Sequence, residues 1–102
     1  MRRLLLHPEV EDEIESWAMI LAKRSDRSPA RFIAELRSGF HRIRERPTHA
    51  HFIYQSYRRL NLDRFSHMVV YREYGDAVYV IAVAHEKRHP DYWKRRIIDD
   101  IG

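Results

Sequence analysis

The chain has 102 residues, 44 % of them hydrophobic and 12 % aromatic, enough for one domain over 1–102 with a single apolar core and too apolar to stay disordered. It contains no cysteine, which excludes a disulfide scaffold, a thiolate metal site and a cysteine nucleophile, and suits a reducing cytoplasm. The net charge of +4 is uneven: residues 1–22 carry 2 basic and 5 acidic side chains, residues 23–47 carry 8 and 3, and the remainder carries 9 and 7. An acidic opening followed by an Arg-rich stretch fits either a polar partner (nucleic acid or an acidic protein surface) or a solvated helix face.

The apolar runs "WAMILA" and "AVYVIAVA" are too short to span a bilayer, and "MRRLLL" lacks the apolar length of a secretory leader. No membrane role is expected.

In chain order, "RRLLL" reads as a short strand. A helix follows, with Pro8 in the tolerated first turn and acidic residues near the positive end of its dipole. Val10, Ile14, Trp17, Ala18 and Leu21 form its apolar stripe. The segment "KRSDRS" breaks that helix. Ser28 as N-cap and Pro29 at the first helical position restart it. Phe32, Ile33, Leu36, Phe40 and Ile43 make the second stripe, ending at Pro47.

Beyond Pro47 the composition turns aromatic and β-branched: "FIY", "YRRLNL", "HMVVYREY", then the turn "YGD" and the doubly buried strand "AVYVIAVA". A short helix is expected from Asp91 to about Ile98. The predicted fold is α+β: an N-terminal strand, a helical hairpin, a three-stranded antiparallel meander (β-α-α-β-β-β) and a short C-terminal helix. If successive elements alternate in direction, the first and last strands pair antiparallel and close one sheet layer against one helix layer.

"HEKRH", residues 85–89, has the H-E-x-x-H spacing of zinc proteases. Two histidines four apart share a metal only on a helix. Here the motif follows a β-favouring run, Pro90 pushes His89 out of helical angles, and no third ligand is at hand. The spacing is read as accidental, and neither a metal site nor a cofactor is expected. The motif does mark a rim where the last strand ends. It gathers His85, Lys87, Arg88, His89, Tyr92, Trp93, Lys94, Arg95 and Arg96, cations among aromatics that suit a polyanion; Trp93 alone reads better as an apolar plug.

The chain resembles the RelE/ParE superfamily of bacterial type II toxins over residues 2–97. The resemblance is carried by "HPEVEDEI", "SPARFIAELRSGFHRIRERP", "YRRLNLDRFSHMVVYREYGDAVYVIAVAH" and "RHPDYWKRR" taken in order. It implies a two-layer RelE/ParE-like fold and a cognate, ParD-like antitoxin whose acidic C-terminal segment folds onto the toxin.

It also implies one of two activities. ParE-like members inhibit DNA gyrase without a catalytic residue of their own. RelE-like members cut messenger RNA on the ribosome. At positions where the ribonucleases carry arginine, this chain has Met68 and, at or near the second, Glu86, while Tyr92 matches their tyrosine. The gyrase reading assigns target contact to Arg58, Arg59, Arg64, Lys87 and Arg88, with Trp93 anchoring the tail; Arg64, Arg88 and His85 are expected to share the open face. The ribonuclease reading makes His85 or Tyr92 the general base, and Arg59, Lys87 and Arg88 the phosphate-stabilising groups. A non-toxic binding module of the same fold is a third reading.

Overall fold

The computed structural model describes the backbone from Met1 to Ile101 and the side chains of residues 1–97. The order is β1 (Arg3–Leu6), α1 (Val10–Ala22), α2 (Ser28–Glu45), β2 (His51–Tyr54), β3 (Tyr57–Asn61), β4 (His67–Tyr74), β5 (Ala77–His85) and α3 (Asp91–Ile101). The strands form one sheet in the order β1-β5-β4-β3-β2. A helical hairpin laid over an antiparallel meander is the expected α+β design.

The pairing of the first and last strands departs from expectation. β1 and β5 are neighbours but run parallel, with Arg3 opposite Ala77 and Leu6 opposite Val80. The cause is one additional strand. "FIY" forms β2, paired antiparallel with β3, so the meander has four strands rather than three. Alternation is preserved, and the extra reversal brings β5 back in the direction of β1.

The start of α2 also differs. Arg27, not Ser28, is the N-cap, and no side chain caps the helix. Ser25 acts one turn earlier, where its hydroxyl accepts the Arg27 N–H at 3.3 Å. Pro29 still lies within the first turn, where its missing N–H costs nothing. Farther along, α2 passes close over β3 at Gly39, where a Cβ would meet Leu60 Cδ2 at 3.2 Å. The turn between β4 and β5 uses Gly75 at φ 60°, the left-handed region glycine enters freely.

Two apolar clusters flank the sheet. Val10, Leu21, Phe32, Leu36 and Ile43 of the hairpin pack on Leu62, Val69, Tyr71, Val78, Val80 and Val83. On the other face Tyr57, Met68, Val70, Ile81, Ala82 and Ala84 meet Trp93 and Ile97 of α3. Thus α3 adds a partial third layer. Its Trp93 is wholly buried, which is worth about 3–5 kcal/mol against truncation to alanine.

β5 carries a bulge: Val70 pairs with Ala82, and Tyr71 with Val80, leaving Ile81 extra. The bulge sends Ile81 and Ala82 to the same face and leaves polar backbone at that point without a ladder partner. Among the described residues, no helix is long and apolar enough to cross a membrane.

Candidate functional site

β1 covers the edge of β5 only as far as Val80, where the His7 N–H makes a last backbone bond to Val80 O at 2.8 Å. From Ile81 onward, side chains take over. The Arg96 guanidinium donates to Ile81 O at 2.9 Å. Glu13 Oε1 accepts the Val83 N–H at 3.2 Å, and the Trp17 indole N–H donates to Val83 O at 3.1 Å. Arg96 and Glu13 also clasp each other through two bonds of 2.9 and 3.0 Å, with side chains only 9 % and 11 % exposed. Glu9 joins at 3.2 Å.

Burial alone would lower the Arg96 pKa. The bond to Glu13 and the charges of Glu13 and Glu9 outweigh that and raise it. Arg96 is therefore a structural cation.

The rim beyond this clasp is made by the ends of several elements. β4 begins where β5 ends, His67 opposite His85, and the Glu86 N–H binds Ser66 O at 2.8 Å. Beneath it lies a ring cage. His67 contacts Trp17 at 4.5 Å, Phe32 at 5.1 Å, His85 at 5.2 Å and Phe65 at 6.3 Å between ring centroids. Both His67 ring nitrogens are buried with no hydrogen-bond partner among the described residues. Burial, reinforced by His85 and Arg24, lowers its pKa to about 4.

The rim residues singled out from sequence separate into distinct settings. Arg88 lies over the Tyr92 ring at 3.8 Å and helps line a hollow of about 240 Å³ with Glu9, Asp12, Trp17 and Ile20 of the α1 side. The Lys87 N–H donates to His85 Nδ1 at 3.1 Å, so the structure does gather His85 at the end of β5, Lys87 and Arg88 in the turn after it, and Tyr92 in the first turn of α3. The expected sharing of an open face by Arg64, Arg88 and His85 fails. Arg64 reaches Glu35 of α2 at 3.8 Å, and His85 is tucked beside Trp17, 5.8 Å away.

Arg58 and Arg59 point to opposite faces, as strand alternation requires. Arg58 is internally engaged: it donates to Thr48 O and Ala50 O at 3.1 and 2.7 Å and stacks on Phe52 at 3.9 Å. It pins the loop after α2 instead of facing a partner. Arg59 is exposed, opposite Val70. Trp93 is buried beneath α3 and offers no surface to a target; it acts as the plug. The Tyr92 hydroxyl is buried without a well-formed hydrogen bond among the described residues. Burial and the Glu13 carboxylate raise its pKa strongly, the wrong direction for a general base.

The H-E-x-x-H spacing spans the strand end and an irregular turn, not a helix. His89 Nδ1 accepts the Asp91 N–H at 3.3 Å. Among the described residues, no three His, Asp or Glu side chains are placed to share a metal ion.

Sequence reasoning passed over Glu13, Trp17 and His67 as site builders, and it counted Arg96 among the rim cations, whereas Arg96 is buried in the clasp with Glu13. The spacing Trp93, Arg96, Ile97 places Arg96 on the buried stripe of α3. Glu13 borders the stripe that runs from Val10 to Trp17. Both signals were present.

Residues 4–90 match the family described as the ParE toxin of type II toxin–antitoxin systems, parDE. No curated protein matches the sequence. Among solved structures, the chain is similar to one from a chromosomal ParDE toxin–antitoxin system of P. aeruginosa. The TM-score is 0.62 at 10 % identity, covering 83 % of this chain and 96 % of that one. At that identity the likeness speaks to the fold. The strand-and-hairpin order, the rim and the family match over most of the length agree: this chain belongs to the ParE toxin family of type II toxin–antitoxin systems.

Proposed function

We propose that the protein is a cytoplasmic, single-domain toxin that inhibits DNA gyrase and is neutralised by a cognate ParD-like antitoxin. The observation that carries the gyrase reading is the state of the positions a ribonuclease would use. Met68 is 4 % exposed and sits in the core, Glu86 would repel a phosphate, and the Tyr92 hydroxyl is held protonated. A gyrase inhibitor needs contact surface rather than proton transfer. Exposed Arg59 and the rim cations Lys87 and Arg88 supply that contact.

One feature favours the ribonuclease reading: Arg88 stacked on Tyr92 beside His85 and Lys87 keeps cations where an RNA phosphate could approach. The test is direct. Purified protein is added to a gyrase supercoiling reaction and, separately, to ribosomes translating a labelled message. Loss of supercoiling without codon-aligned cleavage is expected; cleavage with unimpaired supercoiling overturns the reading.

The ParDE description of the family, and of the structural neighbour, supports an antitoxin partner. Arg31, Arg37, Arg42 and Arg46 are exposed and carry no ion pair among the described residues. An acidic antitoxin segment would find its charge partners along α2 and cover part of the hairpin. Hydrogen exchange that leaves the hairpin unprotected in a co-purified complex would count against this.

A further inference from the structure

The helical hairpin turns one face to the sheet and leaves the opposite face bare. Opposite the buried stripe, α1 presents Asp12, Glu15, Met19 and Lys23, and α2 presents Ala30, Ala34, Arg37 and His41, all exposed. Met19 is 68 % exposed, a large apolar side chain open to water in mid-helix. Asp12, Glu15 and Arg37 form no ion pair among the described residues. His41 reaches Glu45 of its own helix at 3.5 Å.

The ring cage fixes how the two helices are aligned. Trp17 of α1 and Phe32 of α2 both touch the His67 ring, at 4.5 and 5.1 Å, so they stand level while the helices run in opposite directions. Counted from there at equal rise per residue, Met19 is level with Ala30, Glu15 with Ala34, and Asp12 with Arg37. One end of the bare face is therefore apolar and small. The other end sets carboxylates on α1 against a guanidinium on α2.

Such a face is complementary to itself. A twofold axis parallel to the helices lays α1 of each copy along α2 of the other. That rotation leaves heights unchanged, so each α1 residue meets the α2 residue level with it. Met19 enters the space over Ala30 and Ala34, a knob into a small-residue hole. Asp12 meets Arg37, with Glu15 one turn away, and the symmetry makes every contact twice. We propose that the free protein pairs with a second copy of itself through this face, as a four-helix bundle. The face is about 20 Å long, set by the 13 residues of α1, which places the pair among small, salt-sensitive interfaces. The pairing does not rest on the gyrase reading. Arg31 and Arg42 line the flank of α2 toward Asp63 and Arg64 and stay open in it.

Sedimentation equilibrium of the purified full-length protein should show a monomer–dimer equilibrium that weakens as salt rises from about 50 to about 500 mM. Arg37→Asp and Asp12→Arg should each weaken it about tenfold, because each sets like charges together at two symmetric contacts. Mixed in equal amounts, the two variants should regain the parent affinity, since every contact of the mixed pair again joins unlike charges. Met19→Lys should weaken pairing as well, and Arg88→Ala, at the rim, should leave it unaltered. All four positions are exposed, and an unaltered far-ultraviolet circular dichroism spectrum checks that each variant folds.

The proposal is overturned by a monomer at every concentration, by a dimer indifferent to Arg37→Asp and Met19→Lys, or by two charge variants whose mixture regains nothing. A co-purified partner that protects Asp12–Met19 from hydrogen exchange, while the free protein stays monomeric, would assign the face to that partner instead.

Discussion

The two halves of β5 are held along one edge by different means. Ala77–Val80 are backed by the main chain of β1, whereas Ile81 and Val83 are backed by the side chains of Arg96, Glu13 and Trp17. A backbone ladder is indifferent to side-chain identity. A side-chain edge can be deleted one atom group at a time and can respond to pH. The rim should therefore be the labile end of the molecule and the β1 end the stable one.

The largest test removes the clasp. Arg96→Met strands the Glu13 carboxylate at 11 % exposure, so a loss of about 3–5 kcal/mol in urea unfolding is expected. The Val83 amide should lose hydrogen-exchange protection well before Val78 and Val80 do. Uniform loss along β5 would abolish the distinction between the halves.

The second test is acid. His67 ionises near 4 when folded, against an ordinary 6.5, so the folded state binds its proton less readily. Stability is fully present above about pH 6.5. It falls as pH drops toward 4 and then levels off for this group. The total is roughly 3 kcal/mol at about 1.4 kcal/mol per pH unit. The charged or titratable groups that face it are His85 and Arg24, and neither can neutralise an imidazolium. His67→Phe, which keeps a ring in the cage, should reduce the loss between pH 6.5 and 4 by about that amount. An identical pH profile in variant and parent would rule out His67 as the acid-sensitive group.

A smaller effect is expected from Trp17→Phe, which retains an aromatic ring but gives up the bond to Val83 O. About 1 kcal/mol should be lost, with the exchange change again confined to the rim half. Smallest of all is Arg64→Ala. Its 3.8 Å contact to Glu35 leaves Arg64 77 % exposed, and a surface pair of that kind contributes about 0–0.5 kcal/mol. A larger loss in thermal melts would mean that the loop between β3 and β4 has a structural role beyond this pair.

Much of the frame was legible because it is local. The stripes from Val10 to Leu21 and from Phe32 to Ile43 announce two helices. The uninterrupted run from Ala77 to Ala84 announces a strand buried on both faces. The direction of that strand was not legible until "FIY" was counted as a strand, because four residues with two exposed positions give little periodic signal.

Site residues fared less well for a different reason. Arginines look alike in sequence, and only tertiary partners separate Arg58, pinned to two carbonyls, from Arg59 on the open face. Glu13 reads as a helix-dipole charge and Arg96 as a rim cation, because their meeting depends on the sheet lying between them. Trp93 was easier, since an aromatic in a short tail helix has few ways to be satisfied other than burial.

The clasp joins residues 83 positions apart, a long loop to close, whereas the β4–β5 hairpin closes over a two-residue turn. Such distant contacts tend to form late in folding. The hairpin should assemble in the transition state, and α3 should arrive afterwards to seal the strand. Replacing Arg96 should then speed unfolding far more than it slows refolding. A denaturant chevron with its folding arm displaced instead would place the last helix in the nucleus.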